Sequence, residues 1–244
     1  MTVFKGIFPA PVGVEVRPLH HAVVQDLGRR IVRGELGPGV ILPTEPVLVE
    51  QYGVSRTVLR DAVRALVEKG LVVVRQGSGM RVRPAEDWDH LDPLVLFEQV
   101  KGGQGSQILN EVLEVRRLIE VQAAGWAALR RSEADLSELS ALIDHMEGAL
   151  DDGATFTAHD VLFHEVILRA AANRLLRDTQ RPIAETLRSG RVLTAGNPSG
   201  VMKSMHGHQA IYQAIRAQDS QAARASMTDH LAQFEHDLRE ELLG

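Results

Sequence analysis

The 244-residue sequence predicts a mainly α-helical protein with a small helix-and-hairpin head and an all-helical body. Three observations carry this. Before Pro84, three stretches of helical periodicity are followed by two short β-rich runs around Gln76-Gly77-Ser78-Gly79. After Pro84 the apolar spacing is helical throughout. The charge divides at the same place. Residues 1–84 hold 12 Lys and Arg against 7 Asp and Glu, a net +5, while residues 85–244 hold 15 against 25, a net −10.

Residues 1–16 are punctuated by Pro and Gly and are expected to be a flexible N-terminus. Leu19, Val23, Leu27 and Ile31 form a helical stripe that ends at Gly34. Gly37-Pro38-Gly39 marks a turn. Thr44 suits the N-cap of a short helix carrying Val47, Leu48 and Tyr52, with Pro46 tolerated in its first turn and Gly53 as its stop. Ser55 suits the cap of the next helix, which carries Val58, Leu59, Ala62, Val63, Leu66 and Val67 and ends at Gly70. Leu71–Arg75 and Met80–Val82 read as a hairpin. This order of elements is that of a winged helix-turn-helix.

The body is expected to hold helices at about 91–100, 106–130, 133–150, 155–171, 174–195, 200–217 and 219–242. The expected division is 17–84 for the head, 85–104 for a linker with a short helix, and 105–244 for a C-terminal all-α helical bundle. No internal repeat interrupts it.

Composition bounds the chemistry. Hydrophobic residues make up 44% and charged residues 24%, the mix of an ordinary soluble chain. Aromatics are only 4%, so aliphatic residues must build the core. With no cysteine there is no disulfide, thiol nucleophile or thiolate-held zinc, which fits a cytoplasmic location. Residues 1–16 do not have the pattern of a signal peptide, and no apolar run approaches the ~18 residues of a membrane span. A basic head on an acidic body suits a protein whose head alone meets phosphates.

The helix after Ser55 carries that chemistry. Its first turn reads Ser55-Arg56-Thr57-Val58, followed by Arg60 and Arg64. The N-terminal end of a recognition helix reaches base edges in the major groove. Arginine there bonds guanine in bidentate fashion, and the hydroxyls of Ser55 and Thr57 suit phosphates or bases. A wing with Arg75, Gly77, Ser78 and Arg81 suits the minor groove. An amphipathic helix with exposed arginines is by itself only a soluble helix; the full ordered pattern is what points to double-stranded DNA.

In the body, polar residues sit on apolar faces, where burial is costly without partners. Asp160 and His164 share a face with Phe156, Phe163 and Ile167. His208 lies on the stripe of Ile211 and Ile215, and His230 lies between Met227 and Phe234. Arg116 follows Leu109 and Leu113. One inward histidine is usually a hydrogen-bonded core residue. Three of them and an aspartate on three helices make an ordinary ligand set for a divalent metal, zinc first, with nickel or manganese as alternatives. Such a site attracts an anion, and Arg116 suits a bidentate clamp on a carboxylate.

The head resembles the GntR family. The resemblance rests on Gly34-x-Leu36-x-Pro38-Gly39-x-x-Leu42-Pro43-Thr44-Glu45, Gly53-Val54-Ser55-Arg56-Thr57-Val58-Leu59-Arg60-Asp61-Ala62, Leu66-x-x-x-Gly70-Leu71 and Gly77-x-Gly79. It implies that Arg56, Thr57 and Arg60 touch an operator, with Gly77 at the wing tip. Pro46 and Asp61 depart from the commoner Arg and Glu. In the body, Glu114-Val115-Arg116-x-x-Ile119-Glu120, Asp160-x-x-Phe163-His164, Ala172-Asn173, His208-x-x-Ile211 and His230 resemble the FadR-type (FCD) ligand-binding domain. That resemblance implies that Asp160, His164, His208 and His230 hold a divalent metal and that Arg116 faces an effector's carboxylate. Trp88-x-x-Leu91-Asp92-Pro93-x-Val95-Leu96 is similar to the linker helix of members that respond to sugar acids such as galactonate or gluconate.

The expectation is therefore a homodimeric transcription regulator, a repressor, on a pseudo-palindromic operator, controlled by a small carboxylate or sugar acid. A regulator that senses the metal itself and a zinc-dependent hydrolase are the alternatives. The hydrolase lacks a clear general base, because Glu165 points off the apolar face of its helix.

Overall fold

The computed structural model describes residues 19–75, 79–102, 105–194 and 198–243. The expected flexible N-terminus and Gly77 lie outside the described residues. The described residues form ten α-helices and one two-stranded sheet, in two compact units divided between Asp89 and His90.

The first unit opens with α1 (Leu19–Val32), α2 (Glu45–Tyr52) and α3 (Arg56–Glu68). Val23, Val24, Leu27 and Ile31 of α1 are buried, but Leu19 is 63% exposed, so the stripe begins one turn later than its spacing suggests. Thr44 stands at the N-cap of α2 without a side-chain cap bond, and Gly53 ends the helix in the left-handed region at φ 62°. Pro46 costs little there, because the first-turn N–H it lacks has no helical partner anyway. Leu48 is the buried residue of α2, and Val47 is half exposed.

Gly70 closes α3 at φ +73°, and a Cβ there would run into the Asp87 carbonyl oxygen. That absence lets the 3-10 turn Ala85–Asp87 fold back, where Asp89 N donates to Lys69 O at 3.0 Å. β1 (Val72–Arg75) pairs antiparallel with β2 (Gly79–Val82), setting Val72 opposite Val82 and Arg75 opposite Gly79. The far edge of β2 is covered by an isolated bridge between Ile41 and Arg81.

The second unit holds α4 (Pro93–Val100), α5 (Gly105–Arg130), α6 (Glu133–Glu147), α7 (Gly153–Ala170), α8 (Arg174–Thr194), α9 (Pro198–Arg216) and α10 (Ser220–Leu243). Asp92 caps α4 by accepting from Leu94 N and Val95 N. This short helix, expected within a linker, packs on α5 and α8. Ser132 and Asp135 form a reciprocal capping box at the start of α6, and Asp152 caps α7.

α5 is the hub, packed by α7, α8, α9 and α10. Its buried Ala123, Ala124, Ala127 and Ala128 let those neighbours approach closely. Phe163, Ile167, Ile211, Ile215, Met227 and Leu231 fill the space between them. The aliphatic core that the composition demands is thus built. Buried with it are polar side chains that include Arg116, Glu120, Asp160, His164, Gln180, His208 and His230.

Candidate metal centre and nucleic-acid interface

α3 starts where it does because Ser55 accepts a hydrogen bond from Val58 N at 3.2 Å. Leu59, Ala62, Val63 and Leu66 turn into the core. Arg56, Thr57, Arg60 and Arg64 are exposed on the other side. The first turn holds no acidic residue, so nothing on the helix offsets the partial positive charge of its N-terminus. Arg60 Nε donates to Glu45 Oε2 at 3.2 Å, and Arg64 lies 4.0 Å from Asp61. Exposed pairs of this kind contribute only ~0–1 kcal/mol, so releasing either guanidinium from its carboxylate costs little.

In the second unit the structure brings Asp160 and His164 of α7, His208 of α9 and His230 of α10 into one buried cluster. One donor atom from each lies within 4.8 Å of the others. His230 Nε2 is 3.3 Å from His164 Nε2, and Asp160 Oδ1 is 2.8 Å from His208 Nε2 and 3.5 Å from His164 Nε2. Phe163 walls the cluster, with its ring 4.9 Å from that of His208. Gly207 makes room, because a Cβ there would meet His230 Nδ1 at 2.6 Å.

The donor set fits a divalent ion on three counts. Donors held ~2.0–2.2 Å from one tetrahedral ion stand roughly 3.3 Å from each other, which the His164–His230 and Asp160–His164 separations of 3.3 and 3.5 Å approach. Burial, followed by the influence of His208 and His164, holds the His230 imidazole well below its ordinary pKa, so it is neutral and its lone pair is available. Finally, His164 Nδ1 lies 2.5 Å from Glu120 Oε2. The carboxylate therefore stands directly behind the ring whose Nε2 faces the cluster, the usual place for a group that orients a ligand histidine.

Glu120 also ties in Arg116. Arg116 Nε donates to Glu120 Oε1 at 2.8 Å, with both side chains 2% exposed. Gln180 Nε2 of α8 donates to the same oxygen at 2.7 Å. Arg116 packs its guanidinium over Phe234, while its Nη1 meets no protein acceptor among the described residues. Sequence reasoning placed Arg116 here but missed Glu120 and Gln180 as members of the site. The signals were present. Glu120 follows Arg116 by one turn, and Gln180 interrupts the stripe of Leu176, Ile183 and Leu187. His159, His206 and His236 stay outside the cluster, and Glu165 is exposed.

A winged helix-turn-helix with exposed arginines on its third helix, in one chain with an all-helical unit that has a buried polar centre, defines a class: transcription regulators with a DNA-binding head. Residues 19–82 match the bacterial regulatory proteins of the gntR family, and residues 111–233 match the FCD domain. The chain belongs to the GntR family, in its FCD-domain branch. It is 30% identical to the galactonate operon transcriptional repressor of Escherichia coli K12, over 89% of this chain and 96% of that protein. It is 31% identical to the HTH-type transcriptional regulator LutR of Bacillus subtilis 168, over 84% and 94%. Its fold is similar to that of a Streptococcus agalactiae GntR protein, with TM-score 0.52, 24% identity, and 89% and 99% of the two chains covered. The family and these relatives are transcription regulators and not enzymes, which sets the hydrolase aside. The GntR-type head implies DNA binding. No helix among the described residues is long and apolar enough to cross a membrane.

Proposed function

We propose that this protein is a cytoplasmic, homodimeric repressor whose affinity for a pseudo-palindromic operator is set by a small carboxylate. Ser55, Arg56, Thr57, Arg60 and Arg64 of α3 would face the major groove, with Gly77 at the wing. In a dimer the two helices would enter successive major grooves ~34–36 Å apart. Asp160, His164, His208 and His230 would hold the divalent ion, zinc first, with nickel or manganese as alternatives. When bound, that ion would supply a positive, oxygen-seeking centre.

One observation carries the sensor reading. Arg116 is 2% exposed and its Nη1 meets no protein acceptor among the described residues, while its neighbour Glu120 stands 2.5 Å from a histidine of the donor cluster. A buried guanidinium with an unused N–H calls for an anion. The same observation favours an organic acid over the ion itself as the signal. The name of the galactonate operon repressor, a relative over nearly the whole chain, points to a sugar acid. A coupling of ~1–3 kcal/mol between acid and operator would change DNA affinity 5- to 150-fold.

Metal analysis of the purified protein, beside a thermal-shift screen of sugar acids and other small carboxylates, tests this. The expected result is about one divalent ion per chain, and an acid that raises the melting temperature in wild type but not in Arg116→Ala. Metal-dependent operator binding that no acid alters would replace the acid sensor with a metal sensor. Glu120→Gln is expected to lower metal affinity ~10- to 100-fold, as loss of a carboxylate behind a ligand histidine does. Competition with a chromophoric chelator measures it, and an unchanged affinity would leave Glu120 with a packing role alone.

A further inference from the structure

Gln180 is completely buried. Its amide has a fixed orientation, because the Glu120 carboxylate can only accept and therefore must face Nε2. The carbonyl end is thus the one turned elsewhere, and Oε1 meets no donor among the described residues. A buried acceptor left without a donor is costly, and native interiors rarely keep one without a reason. Arg116 Nη1 has the opposite deficit, a buried donor without an acceptor. The two side chains meet at one atom, since Arg116 Nε and Gln180 Nε2 both donate to Glu120 Oε1. The pair therefore offers a molecule one demand for an anionic acceptor and one demand for a neutral donor.

We infer that Gln180 is the specificity-determining residue that reads a hydroxyl on the effector, so that the protein selects hydroxy acids over plain carboxylates of equal length. This rests on the carboxylate-sensor reading above. The carboxylate takes the Nη1 hydrogen of Arg116, and a hydroxyl of the same molecule donates to Gln180 Oε1. A hydroxyl fits better than an ammonium. The nearest carboxylate, Glu120, is already shared by Arg116, His164 and Gln180, and has little capacity left for another cation. A plain carboxylate would satisfy Arg116 and leave the amide oxygen buried and unmet. The site then discriminates by the cost of an unmade hydrogen bond, which is a stronger filter than shape.

Calorimetric titration of the metal-loaded full chain tests this with two matched pairs: galactonate against hexanoate, and lactate against propionate. In wild type the better hydroxy acid is expected to bind about 10- to 100-fold more tightly than its plain partner, the worth of one buried acceptor. Gln180→Met keeps the volume and removes the acceptor together with the Nε2 bond to Glu120, and should bring that ratio near one even where both acids bind more weakly. Gln180→Asn withdraws the acceptor by one methylene, should also shrink the ratio, and serves if the Met variant does not fold. A residue that only braces Glu120 would weaken both acids together and lower metal content, leaving the ratio intact. That outcome, or a wild-type ratio near one, overturns the inference and leaves the sensor reading standing. Binding of none of the four acids to wild type would overturn this inference. A broader carboxylate screen that also failed would remove the sensor reading itself.

Discussion

Arg60→Ala is expected to abolish specific operator binding while leaving the fold intact. The side chain is 66% exposed and its partner Glu45 is itself exposed, so little of the head's stability rests on it. Alanine keeps α3 helical. What the variant loses is a guanidinium one turn into α3, the proposed recognition helix. An arginine that bonds a base contributes ~1–3 kcal/mol of discrimination. A dimer uses two copies, so affinity should fall on the order of 100-fold or more on a two-half-site operator. Wild-type protein first selects fragments from sheared genomic DNA, and both proteins are then titrated on the selected fragment at one salt concentration. An unchanged melting temperature with lost binding is the expected pair of results. Normal affinity in the variant would remove Arg60 from the interface.

The second large effect belongs to His208. It is fully buried, lies 2.8 Å from Asp160 Oδ1, and packs its ring against His230 and Phe163. His208→Ala removes one of four donors and should take metal content from about one ion per chain to a small fraction of it. Stabilisation by effector should go with it, and DNA binding by the head should remain. The cavity lowers the melting temperature as well, so His208→Gln, which keeps more of the volume, is the companion variant. Elemental analysis after gel filtration reads the result. Full metal content in both variants would take His208 out of the ligand set.

The helices were legible because two cheap signals agree along this chain: apolar spacing near 3.6 and a capping residue at the right end. Ser55, Asp92, Ser132 and Asp152 each accept a backbone N–H at a helix start. The cluster was legible for a related reason. Asp160, His164, His208 and His230 break apolar stripes, and that is visible in one dimension. Glu120 was not read as part of it because a glutamate four residues after an arginine looks like any solvated helix pair. Its burial comes from α8 and α10 packing over α5, which no local pattern carries. Gln180 hid for the same reason, being an uncharged residue on a helix interrupted by Pro182. At the other end, Thr44 occupies its cap position without a side-chain cap bond, and Leu19 and Val47 stay at the surface. Position in a helix is a local property, while enclosure depends on what arrives from elsewhere in the chain.

The contact between Glu45 and Arg60 bears on how this head responds to the ionic medium. In the free protein that arginine is already neutralised by a carboxylate built into the chain. If DNA takes the arginine, as proposed above, Glu45 must give it up and is left as an unpaired surface charge near the phosphates, which it repels. Added salt screens that repulsion along with the attraction of the arginines. Plotted as log affinity against log salt, wild-type binding should therefore fall less steeply than that of Glu45→Gln. The head carries its own counterweight to the ionic strength around it.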